Sequence, residues 1–210
     1  VKKKLLFVHD YQHYADPFLN YFEVTKTNLV GADVILFTGG TDISSSFYGE
    51  PPGKHTQGPA KHRDAKEKLL FEYGMEHGKK FLGICRGAQL LCALAGGKLA
   101  QHIEGHAGRN HSMMTNTGEE YTMSTLHHQM MLPAGTDHEM IAWTEKLSHT
   151  YLNGYNKEIK GIEVEPEIVY FKKIKALGIQ GHPEFLRDAI PEEERTLQYV
   201  SKLVEERLLN

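Results

Sequence analysis

Cys85 stands in the string Phe81-Leu82-Gly83-Ile84-Cys85-Arg86-Gly87-Ala88-Gln89-Leu90-Leu91, an apolar run that changes to helical spacing just after the cysteine. A strand that reverses directly into a helix forces its turn residue into a strained backbone, and glycines on either side relieve the crowding. Such an elbow lifts the thiol above a sheet edge, at the positive end of the following helix, with the amide of Arg86 free to meet an oxyanion. The same residues also describe a buried cysteine beside a helix start, so the reading turns on what else the chain supplies.

A cysteine nucleophile needs a base, and the base needs an orienting acceptor. Ala176-Leu177-Gly178-Ile179-Gln180-Gly181-His182-Pro183-Glu184 offers both at the end of a second apolar strand, and Pro183 keeps His182 and Glu184 out of a helix. A third strand, Asp33 to Phe37, stops at Thr38-Gly39-Gly40, where bare backbone at Gly40 can approach a reacting carbonyl as the second arm of an oxyanion hole.

Gly-Ile-Cys-Arg-Gly-x-Gln, the glycine pair after a strand and His-Pro-Glu, in that order, resemble the class I glutamine amidotransferase superfamily of Cys-His-Glu hydrolases. The string from Thr38 through Glu50 and Pro51, followed by Arg63-Asp64, is most similar to the branch of gamma-glutamyl-gamma-aminobutyrate hydrolases, the peptidase C26 type. The similarity runs from about Gly31 to Phe185. It implies a flavodoxin-like α/β fold: an open, mostly parallel central sheet flanked by helices, with a smaller antiparallel β section. It implies catalytic roles for Cys85, His182 and Glu184, an oxyanion hole at the amides of Gly40 and Arg86, and substrate contacts at Gly39, Gln89, Thr125, Leu126 and His127. Thr125 takes the place of the branch's serine and keeps its hydroxyl. Gln89 also reads as an ordinary polar helix residue, and His127 with His128 as a polar turn at a strand end. The Arg86 side chain is left with three partners to choose from: a substrate carboxylate, Asp42 or Glu50.

The implied substrate is glutamine or a gamma-glutamyl small molecule, hydrolysed without a cofactor. Relatives of this type act alone or pass ammonia to a separate synthetase subunit; a catalytically silent module of the same fold is the remaining reading.

The elements that must position these groups follow from patterning. Lys4 to His9 reads as a first strand, Tyr11 to Val30 as a compact connection, and Ile43 to Lys61, rich in glycine, serine and proline, as an irregular loop beside the substrate cleft. His62 to His77 reads as a helix with Ala65, Leu69, Leu70 and Tyr73 turned inward, ended by Gly78. Beyond the elbow helix, Lys98 to Gly161 breaks into short strands with turns at Asn116-Thr117-Gly118 and Asn153-Gly154. Glu163 to Phe171 and Lys175 to Gln180 form a hairpin, and Ala189 to Leu209 an amphipathic helix with Pro191 and three glutamates in its first turn.

With 210 residues, 40% hydrophobic and 24% charged, the chain fits one domain over 1–210. A net charge of −3 gives no electrostatic reason to expect nucleic acid or an anionic membrane as a partner. The apolar run after Lys2-Lys3-Lys4 is too short for a signal peptide or membrane span. Cys85 and Cys92 fall roughly 10 Å apart on one helix and its leading turn, beyond disulfide reach. A reducing, cytoplasmic setting is expected. His102, His106, His111, His127 and His128 lack the regular spacing of a zinc site, so no metal is expected.

Overall fold

The computed structural model describes residues 2–8, 12–58 and 60–210. The chain opens with β1 (Lys3–Phe7), β2 (Phe22–Thr25) and β3 (Val34–Phe37), then α1 (Lys61–Glu76), β4 (Lys80–Ile84) and α2 (Arg86–Leu94). Short strands follow: β5 (Lys98–Ala100), β6 (His102–Ile103), β7 (Ala107–Thr115), β8 (Glu120–Leu126), β9 (Met130–Leu132), β10 (His138–Glu145) and β11 (Tyr151–Leu152). The hairpin of β12 (Val164–Phe171) and β13 (Ala176–Ile179) leads to α3 (Pro191–Leu208).

Among the described residues the main sheet has nine strands in the order β2-β1-β3-β4-β13-β12-β10-β7-β8. From β2 to β13 every neighbouring pair is parallel; from β13 to β8 every pair is antiparallel. Two small antiparallel pairs, β5 with β9 and β6 with β11, complete the β section. The expected α/β architecture is therefore the observed one.

Parallel strands covered on both faces need apolar residues at every position. β3 meets that demand: Val34 and Leu36 point into one core, Ile35 and Phe37 into the other. α3 closes the first core with Val200, Leu203, Val204 and Leu208, while α2 and Phe71 of α1 close the second. This sandwich brings the carboxyl ends of β3, β4 and β13 side by side at one edge, the usual place for ligands in such sheets.

Three expectations need correction. The first strand ends at Phe7, and His9, assigned to it from sequence, lies outside the described residues. The connection assigned to Tyr11 to Val30, whose first residue is also outside them, contains a 3-10 turn, Gln12–Phe18, and the edge strand β2, paired in parallel with β1. In α1 the inward face is Asp64, Glu67, Phe71 and Gly74, whereas Leu69 is 67% exposed. Gly74 makes the close approach possible, since a Cβ there would stand 2.7 Å from the Phe81 ring. Two carboxylates can face inward because the buried Arg86 and the partly buried Arg63 meet them.

Candidate active site

The elbow is built by exclusion. A Cβ on Gly83 would stand 2.5 Å from the carbonyl carbon and oxygen of Gly87, and one on Gly87 would stand 2.0 Å from the Phe37 carbonyl oxygen. Backbone occupies both places, so neither can carry a side chain. Between them Cys85 takes φ 51° and ψ −107°, an uncommon conformation for a residue with a Cβ. The Cys85 amide donates to the Ile179 carbonyl at 2.7 Å, and its own carbonyl accepts from Gln89 at 3.1 Å, tying the turn to β13 and to α2.

β4 and β13 run in register, Ile84 beside Ile179, so the chain leaving β13 passes next to the elbow. His182 follows three residues later, held by a hydrogen bond from its amide to Ser124 on β8 at 2.7 Å. Its Nδ1 donates to Glu184 Oε1 at 2.6 Å, and the Phe185 ring stacks on it at 4.9 Å. Burial alone would depress this imidazole, but the nearby charge of Cys85, joined by the hydrogen bond and charge of Glu184, outweighs it and holds His182 up to about 10. His182 Nε2 is buried without a hydrogen-bond partner of ordinary geometry, and its link to Cys85 is chiefly electrostatic.

Gly39 packs against the same ring: a Cβ there would lie 3.2 Å from His182 Cε1 and 2.3 Å from the Tyr14 hydroxyl. Gly40, at φ +142°, adopts a backbone open to glycine alone. The Arg86 side chain takes none of the partners weighed from sequence. It turns back beneath the elbow, 1% exposed, and donates to Asp64 and Glu67 of α1.

A cleft of about 290 Å³ opens over the sulfur, walled by Gly40, Cys85, Gln89, Leu126 and His127 together with Asp42, Gln57, His128 and Gln129. Gln89 donates its side-chain amide to the Gln129 carbonyl at 3.0 Å. His127 is buried, which drives its pKa well below the ordinary histidine value, and the neighbouring His106 adds to that. Its Nδ1 donates to the Gln129 carbonyl at 2.9 Å, which leaves Nε2 as an acceptor. Thr125, expected at the substrate, stands behind this wall instead: its hydroxyl donates to the His106 carbonyl at 3.1 Å. Gly39 likewise borders the neighbouring hollow beside Tyr14 rather than the cleft over the sulfur.

Sequence reasoning missed the organising part of Asp42. Its carboxylate takes His128 Nε2 at 3.0 Å, the Gln129 side-chain amide at 3.0 Å and the Gln57 amide at 2.7 Å, lacing loop, β8 end and β9 approach together. Its position directly after Gly39-Gly40-Thr41 was the available signal; Gln57 carried none. A larger hollow of about 430 Å³ between the β7–β8 turn and α3 has no histidine or cysteine in its walls. Of the histidines weighed for metal, His106 and His111, together with Glu167, place ligand-type atoms within 4.8 Å of one another. His106 Nε2 is paired with Glu165 at 2.6 Å and His111 Nε2 with Glu167 at 2.9 Å, while His111 Nδ1 and Glu167 Oε2 are buried without a hydrogen-bond partner. No helix among the described residues is long and apolar enough to cross a membrane.

Comparison with known proteins places the chain in a family and a fold. The family model for peptidase C26 matches residues 17–156. Rv2859c of Mycobacterium tuberculosis, which bears a glutamine amidotransferase name, is 40% identical over 77 residues; the match covers 35% of this chain and only 25% of that protein. The glutamine amidotransferase-like protein YvdE of Lactococcus lactis is 27% identical over 182 residues, 77% of this chain and 70% of its own length. Among solved structures, that of PurLQS from Thermotoga maritima superposes with a TM-score of 0.63 at 18% identity, over 97% of this chain and 98% of that one, a likeness of fold.

Proposed function

The chain belongs to the peptidase C26 family of the class I glutamine amidotransferase superfamily, and from that premise we propose that it hydrolyses the gamma-amide bond of glutamine or a gamma-glutamyl compound through a Cys85 thioester. The observation that carries the proposal is His182, whose Nδ1 is held by Glu184 while Cys85 raises its proton affinity to about 10.

The Cys85 thiolate attacks the amide carbonyl, and the carbonyl oxygen gathers charge opposite the backbone amides of Gly40 and Arg86. The His182 imidazolium gives its proton to the leaving nitrogen as the carbon–nitrogen bond breaks, and ammonia or an amine departs. Water then enters, loses a proton to the now neutral imidazole, and attacks the thioester; glutamate leaves and the thiolate returns with the imidazolium. Glu184 fixes the tautomer and stabilises the cation throughout. Gln89, Leu126 and His127 line the space for the glutamyl group, with Gly39 and Thr125 supporting the walls.

The Gly-Gly-Thr-Asp-Ile-Ser loop, by its resemblance, favours a self-sufficient hydrolase of gamma-glutamyl amines or peptides over an ammonia donor to a synthetase. Purified protein and its Cys85→Ser variant, assayed on glutamine, gamma-glutamyl-aminobutyrate and gamma-glutamyl peptides, test both levels. Cleavage of gamma-glutamyl amines by the wild type alone, lost in the variant, is the expected result. Glutamine turnover only when a synthetase is added would point to the ammonia donor, and full activity in Cys85→Ser would end the proposal.

A further inference from the structure

The two amides assigned to the oxyanion follow separate strands, Gly40 in the loop after β3 and Arg86 at the start of α2 after β4, and one largely buried network of charged side chains joins them. Arg63, on the first turn of α1, donates Nη1 to the Gly39 carbonyl at 2.8 Å and Nη2 to the Thr38 carbonyl at 2.7 Å. The Gly39–Gly40 peptide is trans, and in a planar trans peptide the carbonyl and the following N–H point in opposite directions. Fixing the Gly39 oxygen on the α1 side therefore turns the Gly40 N–H the other way, and Gly40 is a wall of the cleft over Cys85. The absence of a side chain at Gly40 serves the same contact, since a Cβ would stand 2.3 Å from Arg63 Nη1.

Glu67, one helical turn after Arg63 and fully buried, grips both arms. One carboxylate oxygen accepts from Arg63 Nε at 2.9 Å; the other accepts from Arg86, the residue whose amide forms the second arm. Asp64 takes Arg86 Nη2 and, through its second oxygen, anchors the amide of Ser44 at 3.0 Å. The inward acid face of α1, which a purely packing helix would not carry, is thereby accounted for.

We propose that Arg63 and Glu67 are positioning residues that set the orientation of the Gly40 amide relative to the Arg86 amide, so that both face the oxyanion. The proposal rests on the reading of Cys85 as an acyl-accepting nucleophile. A test needs two reactions of Cys85, one passing through an oxyanion and one not. Acylation by p-nitrophenyl acetate forms the sulfur–acyl bond, breaks the ester bond and releases p-nitrophenolate through a tetrahedral oxyanion; alkylation by iodoacetamide displaces iodide with none.

In Arg63→Ala the acylation rate is expected to fall about a hundredfold, the lower end of the loss seen when one oxyanion donor is removed. Alkylation should stay within about twofold, since it follows thiolate access alone. Added guanidinium should restore acylation and leave alkylation untouched, a rescue that a loss of general packing would not show. Arg63→Lys keeps the charge without the fork and serves if the alanine variant does not fold; it should show the same split between the two reactions. Equal loss of both reactions, or undiminished acylation, would overturn the positioning role. A wild type whose Cys85 is alkylated but never acylated would instead overturn the hydrolase reading, and the clamp with it.

Discussion

Replacing Cys85 by alanine should lower the titration of His182 by an amount large enough to see directly. The imidazole sits at about 10 against an ordinary 6.5, although burial pushes it downward. At 1.36 kcal/mol per tenfold change in proton affinity, that rise amounts to about 5 kcal/mol in favour of the cation. Cys85 is the leading source of the increase, and Glu184 the second. Alanine keeps the elbow's Cβ, so the backbone strain at φ 51° is unchanged while the sulfur and its charge are gone. An opposite charge at close range is worth one to three pH units, so His182 should fall by about two or more, toward neutrality. The measurement is the Cε1 proton resonance of His182 followed from pH 5 to 11 in both proteins, assigned by the loss of the signal in His182→Gln. In the wild type the imidazolium that donates to the leaving nitrogen persists until the pH climbs through about 10, so activity should decline there on the alkaline side. Were His182 to titrate near 10 in Cys85→Ala as well, its charge would be set without the sulfur, and the pairing at the centre of the proposed mechanism would be wrong.

Three further outcomes are expected. Iodoacetamide at pH 8 should label Cys85 well before Cys92, whose thiol is pushed up to about 12 by complete burial; equal labelling by mass spectrometry would contradict this. Gly87→Ala should destabilise the fold by more than the roughly 1–3 kcal/mol of ordinary overpacking, because its Cβ would meet the Phe37 carbonyl at 2.0 Å and backbone cannot swing aside; an unchanged urea midpoint would refute the elbow geometry. On α1, Leu69→Gln should change stability by less than about 0.5 kcal/mol, whereas Phe71→Ala should cost about 3–5 kcal/mol, and chemical denaturation of the two variants would expose any error in the helix's rotation.

The parts of this molecule that sequence made legible are those whose demands are local. Gly83 and Gly87 flank Cys85 because the elbow leaves no room beside it, and His182 and Glu184 follow an apolar strand that pairs with the elbow strand. What stayed hidden depends on partners far along the chain. The inward face of α1 carries Asp64 and Glu67, so apolar spacing pointed to Leu69 instead; the cation that makes those acids tolerable is Arg86, about twenty residues on. The same long-range pairing explains why the Arg86 side chain could not be matched to its partner in advance. β2 was missed because an edge strand with only Phe22 fully buried has little periodicity to read. Thr125 was placed at the substrate by analogy, and only the packing of His106 behind it reveals where its hydroxyl points.

The direct alignment of Ile84 with Ile179 has a bearing on heat. Sulfur stands one residue and imidazole three residues past that last rung, the latter tied also to β8, so warming should not part them while those strands hold. Loss of turnover on heating should then coincide with the melting of the central strands, and an enzyme cooled before that point should regain its full rate at once.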